Sequence, residues 1–166
     1  MKNKEFCYKC RKDTEYELKI EKEEIQIGNQ NFSFECTKAY CKKCENVMSL
    51  PGIIDLNIKE RDRQYREIMG IISIEDIKNL TKMFKVSNEQ LSLALGMEEW
   101  TLNRFLDGQV PLRKYSDTMK SILEHPLFMK RYLEENKDRI TPETYTKCMN
   151  TIKALKKKKN KQEGNL

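Results

Sequence analysis

The clearest periodic pattern of apolar positions lies between Val86 and Gly108. Ser87 and Gln90 have the spacing of a capping box, which predicts that a helix begins there. Gly96 and Gly108 each follow an apolar run and are suited to end a helix, because glycine adopts the left-handed conformation without a Cβ clash. The inward positions of the two predicted helices are Leu91, Ala94, Leu95, Leu102, Phe105 and Leu106. The pattern predicts two short helices joined by a turn.

Helical spacing continues on both sides of this pair. Upstream, residues 55–69 are predicted to form a connecting helix with Asp55 as its N-cap. A second capping box begins at Ser73 and predicts the first helix of a bundle. With the pair described above and two further helices downstream, the pattern predicts a five-helix bundle over residues 73–138.

The last periodic segment spans residues 139–156. Thr141 followed by Pro142 is typical of a helix start, since proline is tolerated at the first helical position. A narrow apolar stripe follows, formed by Tyr145, Cys148, Met149, Ile152 and Leu155. This stripe fits either docking onto the chain's own bundle or an interface with a second copy. Residues 157–166 are predicted to be a disordered lysine-rich tail.

The N-terminal 50 residues show the two-residue alternation of strands instead. Polar and apolar residues alternate over residues 16–21 and again over residues 32–36, and Gly28 with Asn29 supplies a turn between them. These features predict a two- or three-stranded antiparallel ribbon. Pro51 and Gly52 mark its expected end, so that residues 51–72 form a linker containing the connecting helix. The fold class predicted for the whole chain is α+β, with a small β-ribbon followed by an all-α bundle.

Composition describes a soluble protein with modest cores, since 38% of the 166 residues are hydrophobic and 35% are charged. The apolar runs are shorter than the roughly 18 residues that a membrane span needs, and the N-terminus lacks the apolar core of a secretion signal. We therefore expect a cytoplasmic protein without a membrane partner. The net charge of +6 is concentrated near the C-terminus, where residues 110–166 carry 14 basic and 7 acidic side chains.

Four of the six cysteines form two Cys-x2-Cys pairs, Cys7 with Cys10 and Cys41 with Cys44. Each pair can direct two thiolates at one point, and two pairs supply the tetrahedral four-sulfur set of structural zinc. The alternatives are a redox-active pair, for which neither segment has the βαβ context, and cysteines buried by coincidence. We expect one structural Zn2+ per chain, and because the ribbon is so small, zinc supplies most of what folds it.

Cys36 is left over from this set of four. It lies only five residues before Cys41, so it is either an alternative ligand or a residue that packs on the sheet. The packing interpretation is favoured. The sequence assigns no specific role to Cys148 beyond its place in the apolar stripe.

The paired helices between Val86 and Gly108 resemble the helix-turn-helix of Xre-type, phage-repressor-like regulators. Ten positions carry this resemblance: Ser87, Glu89, Leu91, Ala94, Gly96, Thr101, Leu102, Arg104, Phe105 and Gly108. The alternative is a generic pair of packed helices in a small bundle. In the regulators, the second helix enters the major groove of DNA. The expected DNA-binding residues are Ser87, Asn88, Trp100, Thr101, Asn103, Arg104, Arg113 and Lys114.

The order of parts, a four-cysteine ribbon followed by an Xre-type bundle, resembles the MqsA-type antitoxins, whose zinc part is called the YgiT-type finger. The resemblance covers about residues 5–135. It implies that the zinc part binds a partner toxin and that the helical part dimerises on a palindromic operator to repress its own operon. Residues 114–117 and 133–138 also resemble relatives that precede a SocA-like or Panacea antitoxin domain, although we expect no such domain within these 166 residues.

Two observations favour a rival function. Trp100 stands where a polar base-reading residue is expected, and an indole cannot make the paired contact that asparagine makes to adenine. Glu98 and Glu99 place negative charge where phosphates would lie, although glutamate can accept from cytosine. The main alternative is therefore a protein-interaction adaptor that does not bind DNA. A phage or mobile-element regulator built on the same scaffold is a further alternative.

An enzyme is the least favoured class. His125 is the only histidine, and it precedes a proline at a predicted helix end. The sequence contains no glycine-rich phosphate loop, Ser/His/Asp set or carboxylate cluster. We therefore expect no small-molecule substrate.

Overall fold

The computed structural model describes residues 4–163, with side chains described as far as Lys158. The chain forms two compact units, of which the first ends at Ile68 and the second begins at Met69. The first unit contains an antiparallel sheet and one helix, and the second is helical. The predicted α+β fold class is confirmed. Among the described residues, no helix combines the length and apolar character needed to cross a membrane.

The sheet of the first unit has four antiparallel strands, where two or three were predicted. They are adjacent in chain order: β1 (Lys4–Cys7), β2 (Lys12–Ile27), β3 (Gln30–Cys41) and β4 (Val47–Met48). Strands β2 and β3 pair from Tyr16 opposite Cys41 to Ile27 opposite Gln30. Gly28 has φ +61° in the first position of their two-residue turn, an arrangement typical of hairpins with glycine there.

Strand β3 buries different faces along its length. Phe32, Phe34 and Cys36 are buried on one face, whereas Ala39 and Cys41 are buried on the other. The ring of Phe32 packs on that of Phe34 at 6.0 Å between centroids. Cys36 therefore packs on the sheet, on the face opposite Cys41. One strand thus contributes to two small clusters, only one of which contains the paired cysteines.

Helix α1 (Pro51–Ile68) begins four residues earlier than predicted and is part of the first unit. The prediction of Asp55 as its N-cap is wrong, because Pro51 is the first helical residue and the backbone N–H groups of Ile53 and Ile54 already bond to the Leu50 carbonyl. Proline fits this position because the first helical N–H has no intrahelical partner. The helix packs against β3, so the predicted linker is a structural part of the sheet unit.

The second unit contains six helices within the described residues, joined in part by single 3-10 turns. They are α2 (Ile74–Phe84), α3 (Asn88–Ala94), α4 (Thr101–Leu106), α5 (Arg113–Glu124), α6 (Met129–Glu135) and α7 (Pro142–Glu163). The predicted caps Ser73 and Ser87 are confirmed, since each side chain accepts a hydrogen bond from a backbone N–H of the following helix. A single core joins all six helices.

Helix α7 follows one of the two interpretations of its apolar stripe and differs from the prediction in its length. Cys148 and Ile152 are buried in the bundle core, and Tyr145 and Met149 pack against it. The stripe considered as a dimer interface is therefore packed inside the chain's own bundle. The helix also continues to Glu163 instead of ending near residue 156. The last three positions of the predicted disordered tail, residues 164–166, lie outside the described residues.

Candidate metal centre and helix-turn-helix

Antiparallel pairing brings the four predicted metal ligands together. Cys7 ends β1 and Cys41 ends β3, while Cys10 and Cys44 lie in the turns that follow these strands. The four Sγ atoms all lie within 4.8 Å of one another, and no other such group occurs among the described residues. The sequence spacing therefore predicted the cluster correctly.

The sulfur separations fit a tetrahedral metal ion. Sγ of Cys7 lies 3.6 Å from Sγ of Cys44, and Sγ of Cys10 lies 3.9 Å from Sγ of Cys41. A tetrahedron with metal–sulfur bonds of about 2.3 Å has edges of about 3.8 Å. Four cysteine ligands fill such a coordination sphere, so the centre has a structural role and leaves no position for a substrate.

Each cysteine turn ends on a residue with left-handed backbone geometry. Arg11 has φ +53° and Glu45 has φ +58°, and each directly follows the second cysteine of its pair. The N–H of Glu45 donates to the carbonyl of Cys41 at 2.8 Å, and the N–H of Cys41 donates to the carbonyl of Asn46 at 2.9 Å. Neither position is a glycine, so these two tight turns left no conformational signal in the sequence.

Hydrogen bonding distinguishes two of the thiols. The hydroxyl of Thr14 lies 3.2 Å from Sγ of Cys41 and lowers the pKa of Cys41 to about 6, with the backbone N–H groups of Cys44 and Lys43 acting in the same direction. The pKa of Cys10 is raised to about 12, first by its hydrogen bond with Cys44 and then by burial. A metal ion that binds all four sulfurs as thiolates must therefore displace protons from the site.

In the second unit, a buried hydroxyl joins α3 to α4. Ser92 is fully buried, and its Oγ donates to the carbonyl of Asn88 at 2.8 Å and accepts from the N–H of Leu102 at 3.0 Å. Because Leu102 is in the first turn of α4, its N–H has no partner within that helix. Gly96, with φ +76°, lies in the turn between the two helices. The pair therefore forms a fixed helix-turn-helix unit.

A second link occupies two of the predicted DNA-binding residues, Asn88 and Asn103. The side-chain carbonyl of Asn103 accepts from Nδ2 of Asn88 at 2.7 Å, and its amide group donates to Oε1 of Glu89 at 2.6 Å. The hydrogen bond from Asn103 also lowers the pKa of Glu89. Asn88 and Asn103 thus connect the two helices, a role that sequence reasoning did not assign to them.

Two of the predicted DNA-binding residues, Trp100 and Arg104, are exposed at α4. Trp100 precedes the helix and is 58% exposed, and Arg104 is exposed on it. Thr101 is buried, and its hydroxyl accepts a hydrogen bond from Nη2 of Arg104 at 3.1 Å. Thr101 therefore orients Arg104. Glu98 and Glu99 are exposed in the same segment.

The remaining predicted DNA contacts are placed differently. Arg113 donates from Nη2 to the carbonyl of Met69 at 2.6 Å, so its guanidinium is engaged within the bundle. Lys114 is exposed, with its Nζ 4.6 Å from the ring centroid of Tyr115. Ser87 is exposed and caps α3.

No family model and no curated protein matches this chain. The fold and the site define a class in coarser terms. The chain has a four-cysteine metal-binding cluster beside an antiparallel sheet, followed by a helical unit that contains a helix-turn-helix arrangement.

Proposed function

We propose that this protein is a sequence-specific DNA-binding transcriptional regulator of the Xre type, with Zn2+ as its structural metal. The observation that carries the proposal is the fixed position of α4 on α3, with Trp100 and Arg104 exposed at its start and on its surface. A rigid helix with exposed side chains of this kind is what reading of the major groove requires.

The chemistry of these side chains suits a short base-contacting segment. Arg104 can donate two hydrogen bonds to O6 and N7 of guanine, and Trp100 can pack on a thymine methyl group. Thr101 holds the guanidinium of Arg104 from one side, which lowers the entropy lost on binding. Lys114 supplies a phosphate contact.

The order of the parts, which resembles MqsA-type antitoxins, supports a narrower proposal. In it, the protein is cytoplasmic, represses the operon that encodes it, and binds a toxin through its metal-binding unit. In that unit, Leu18 and Ile20 are 51% and 73% exposed and lie two residues apart on one face of β2, and we propose this apolar pair as part of the toxin contact.

Operator binding also implies two copies of the chain. One chain presents a single α4 and contacts one half-site, whereas a two-fold dimer spans two half-sites about 34 Å apart. We therefore propose a homodimer on a palindromic operator. The surface it uses differs from the apolar stripe of α7, because that stripe is in the core.

A second candidate is a protein-interaction adaptor. Two observations favour it: Glu98 and Glu99 are exposed beside α4, and Asn103 is engaged with α3. Both reduce the attraction of this segment for DNA. A binding titration of the full-length chain with DNA from upstream of its own gene distinguishes the two functions, because the adaptor shows no preference for that DNA over a random duplex.

A further inference from the structure

The C-terminal part of α7 extends beyond the core that holds its first half. Ile152 is 5% exposed and is the last buried residue of the helix within the residues whose side chains are described. Lys156 follows it by one helical turn on the same face and is exposed. Leu155 is half-buried, and beyond it the side chains that the structure describes, as far as Lys158, are all exposed.

This extension is strongly basic. Residues 153–161 contain six lysines and no acidic residue. The four lysines whose side chains are described there, Lys153, Lys156, Lys157 and Lys158, are exposed and form no ion pair with any described residue. By contrast, Lys147 earlier in the same helix pairs with Glu143 at 2.7 Å. The positive charge of the extension is thus available to an external anion.

The lysines repel one another along the helix. Lys153 is three residues from Lys156 and four from Lys157, and like charges at these spacings destabilise a helix. An anion that neutralises them removes this repulsion. The six lysines lie along about 12 Å of helix axis, since each residue rises 1.5 Å. Duplex DNA carries one charge per about 1.7 Å, so the two charge densities are similar.

We propose that the lysine-rich segment of α7 binds the phosphate backbone of duplex DNA without regard to sequence. The proposal rests on the proposed function, in which α4 reads the bases. The lysine-rich segment adds the electrostatic affinity that Glu98 and Glu99 remove from the α4 segment. A membrane surface fits less well. Interfacial helices need an apolar face, and the apolar stripe of α7 is already packed in the bundle.

The test compares two full-length variants with equal net charge. One carries Lys153→Gln, Lys156→Gln, Lys157→Gln and Lys158→Gln. The control carries Lys22→Gln, Lys59→Gln, Lys78→Gln and Lys130→Gln, which replaces four exposed lysines outside the segment. Glutamine is a good helix former, so circular dichroism should show similar helicity for both variants. Affinity for a random 20-base-pair duplex is measured across a salt series.

We expect the segment variant to bind the random duplex at least tenfold more weakly than wild type at low salt. Affinity should also depend less steeply on salt. The magnitude of the slope of log affinity against log salt should decrease by about 2 to 4, at about 0.9 per lost phosphate contact. The control variant should stay within about twofold of wild type.

Equal effects of the two variants would overturn the proposal, because net charge alone would then explain the binding. Wild-type binding to phosphatidylglycerol vesicles that is tighter than to the duplex, and is lost in the segment variant, would also overturn it. None of these readings uses promoter DNA. A chain that binds random duplex through the segment but shows no promoter preference would therefore contradict the proposed function and leave this inference standing.

Discussion

The side-chain amide of Asn57 forms two hydrogen bonds with the main chain of Thr37, each 2.8 Å long. Its Oδ1 accepts from the N–H of Thr37, and its Nδ2 donates to the carbonyl of the same residue. Gln64, two turns further along α1, repeats this arrangement with the main chain of Glu35. The two amides occupy the edge of β3 where β4 does not pair, and so complete the hydrogen bonding of an edge strand.

Replacing Asn57 with alanine should therefore expose this edge. We expect Asn57→Ala to lose about 1 kcal/mol of stability in the first unit, because two main-chain groups lose their partners. Hydrogen exchange at the amide of Thr37 should become faster. Lys59→Ala, at an exposed position of the same helix, is the control and should leave that amide unchanged. Unaltered exchange at Thr37 in Asn57→Ala would show that the two hydrogen bonds from Asn57 do not protect this edge of β3.

The metal prediction concerns stoichiometry and ligand identity. Purified protein should contain one zinc per chain, and Cys44→Ser should lose it, because three thiolates and a hydroxyl bind zinc less tightly than four thiolates. Elemental analysis measures the occupancy. Cys36→Ser and Cys148→Ser are the controls, since both thiols lie outside the cluster. Full occupancy after Cys44→Ser, or loss after Cys36→Ser, would mean that the ligand set is wrong.

A prediction about pH follows from the hydrogen bond between Tyr40 on β3 and Glu21 on β2. The hydroxyl of Tyr40 donates to Glu21 and lowers its pKa, with Lys38 acting in the same direction. A carboxyl with a lowered pKa in the folded state stabilises the fold above its unfolded value of 4.5, and this contribution is lost as the pH falls through the lower folded value. The predicted loss is therefore confined to acid pH.

NMR titration of the Glu21 carboxyl tests this relationship. Its pKa should lie below 4.5 in wild type and should rise toward that value in Tyr40→Phe, since the hydrogen bond that favours the ionised form is gone. Tyr8→Phe removes a hydroxyl from an exposed ring that packs edge-to-face with Phe6 and should leave Glu21 unchanged. An identical Glu21 titration in wild type and Tyr40→Phe would refute the assignment.

Within the proposed DNA-binding surface, Arg104 and Lys114 should behave differently. Arg104→Ala should lower affinity for the operator about 5- to 150-fold, the cost of one lost base contact of about 1–3 kcal/mol, and leave random duplex binding nearly unchanged. Lys114→Ala should weaken both kinds of DNA similarly and reduce the salt dependence. Competition titrations measure both. If Arg104→Ala weakened operator and random DNA equally, Arg104 would be a phosphate contact.

What could be predicted from the sequence was local. The caps Ser73 and Ser87 depend on side-chain and backbone groups three residues apart, so their spacing is sufficient evidence. The same is true of the cysteine pairs, because a metal site needs particular ligand types at short intervals. The start of α1 was missed because Pro51 and Gly52 are typical of loops as well as of first helical turns.

Features that depend on distant partners could not be predicted in this way. The engagement of Asn103 needs Asn88 and Glu89 from the preceding helix, and that of Arg113 needs a carbonyl from Met69, which is 44 positions away. The stripe of α7 had the pattern of either a core or an interface. Only the packing of the other helices around Cys148 distinguishes these possibilities.

The most direct test of the proposed function is the ratio of two affinities of the full-length, zinc-loaded chain. One is for a duplex from the promoter of its own gene, and the other is for a random duplex of the same length and base composition, both at about 0.15 M salt. Specific regulators prefer their sites by roughly a thousandfold or more. We predict a ratio of that order, reduced by Arg104→Ala and preserved by Lys78→Ala. A wild-type ratio within about threefold of one would contradict the regulator function and favour the adaptor.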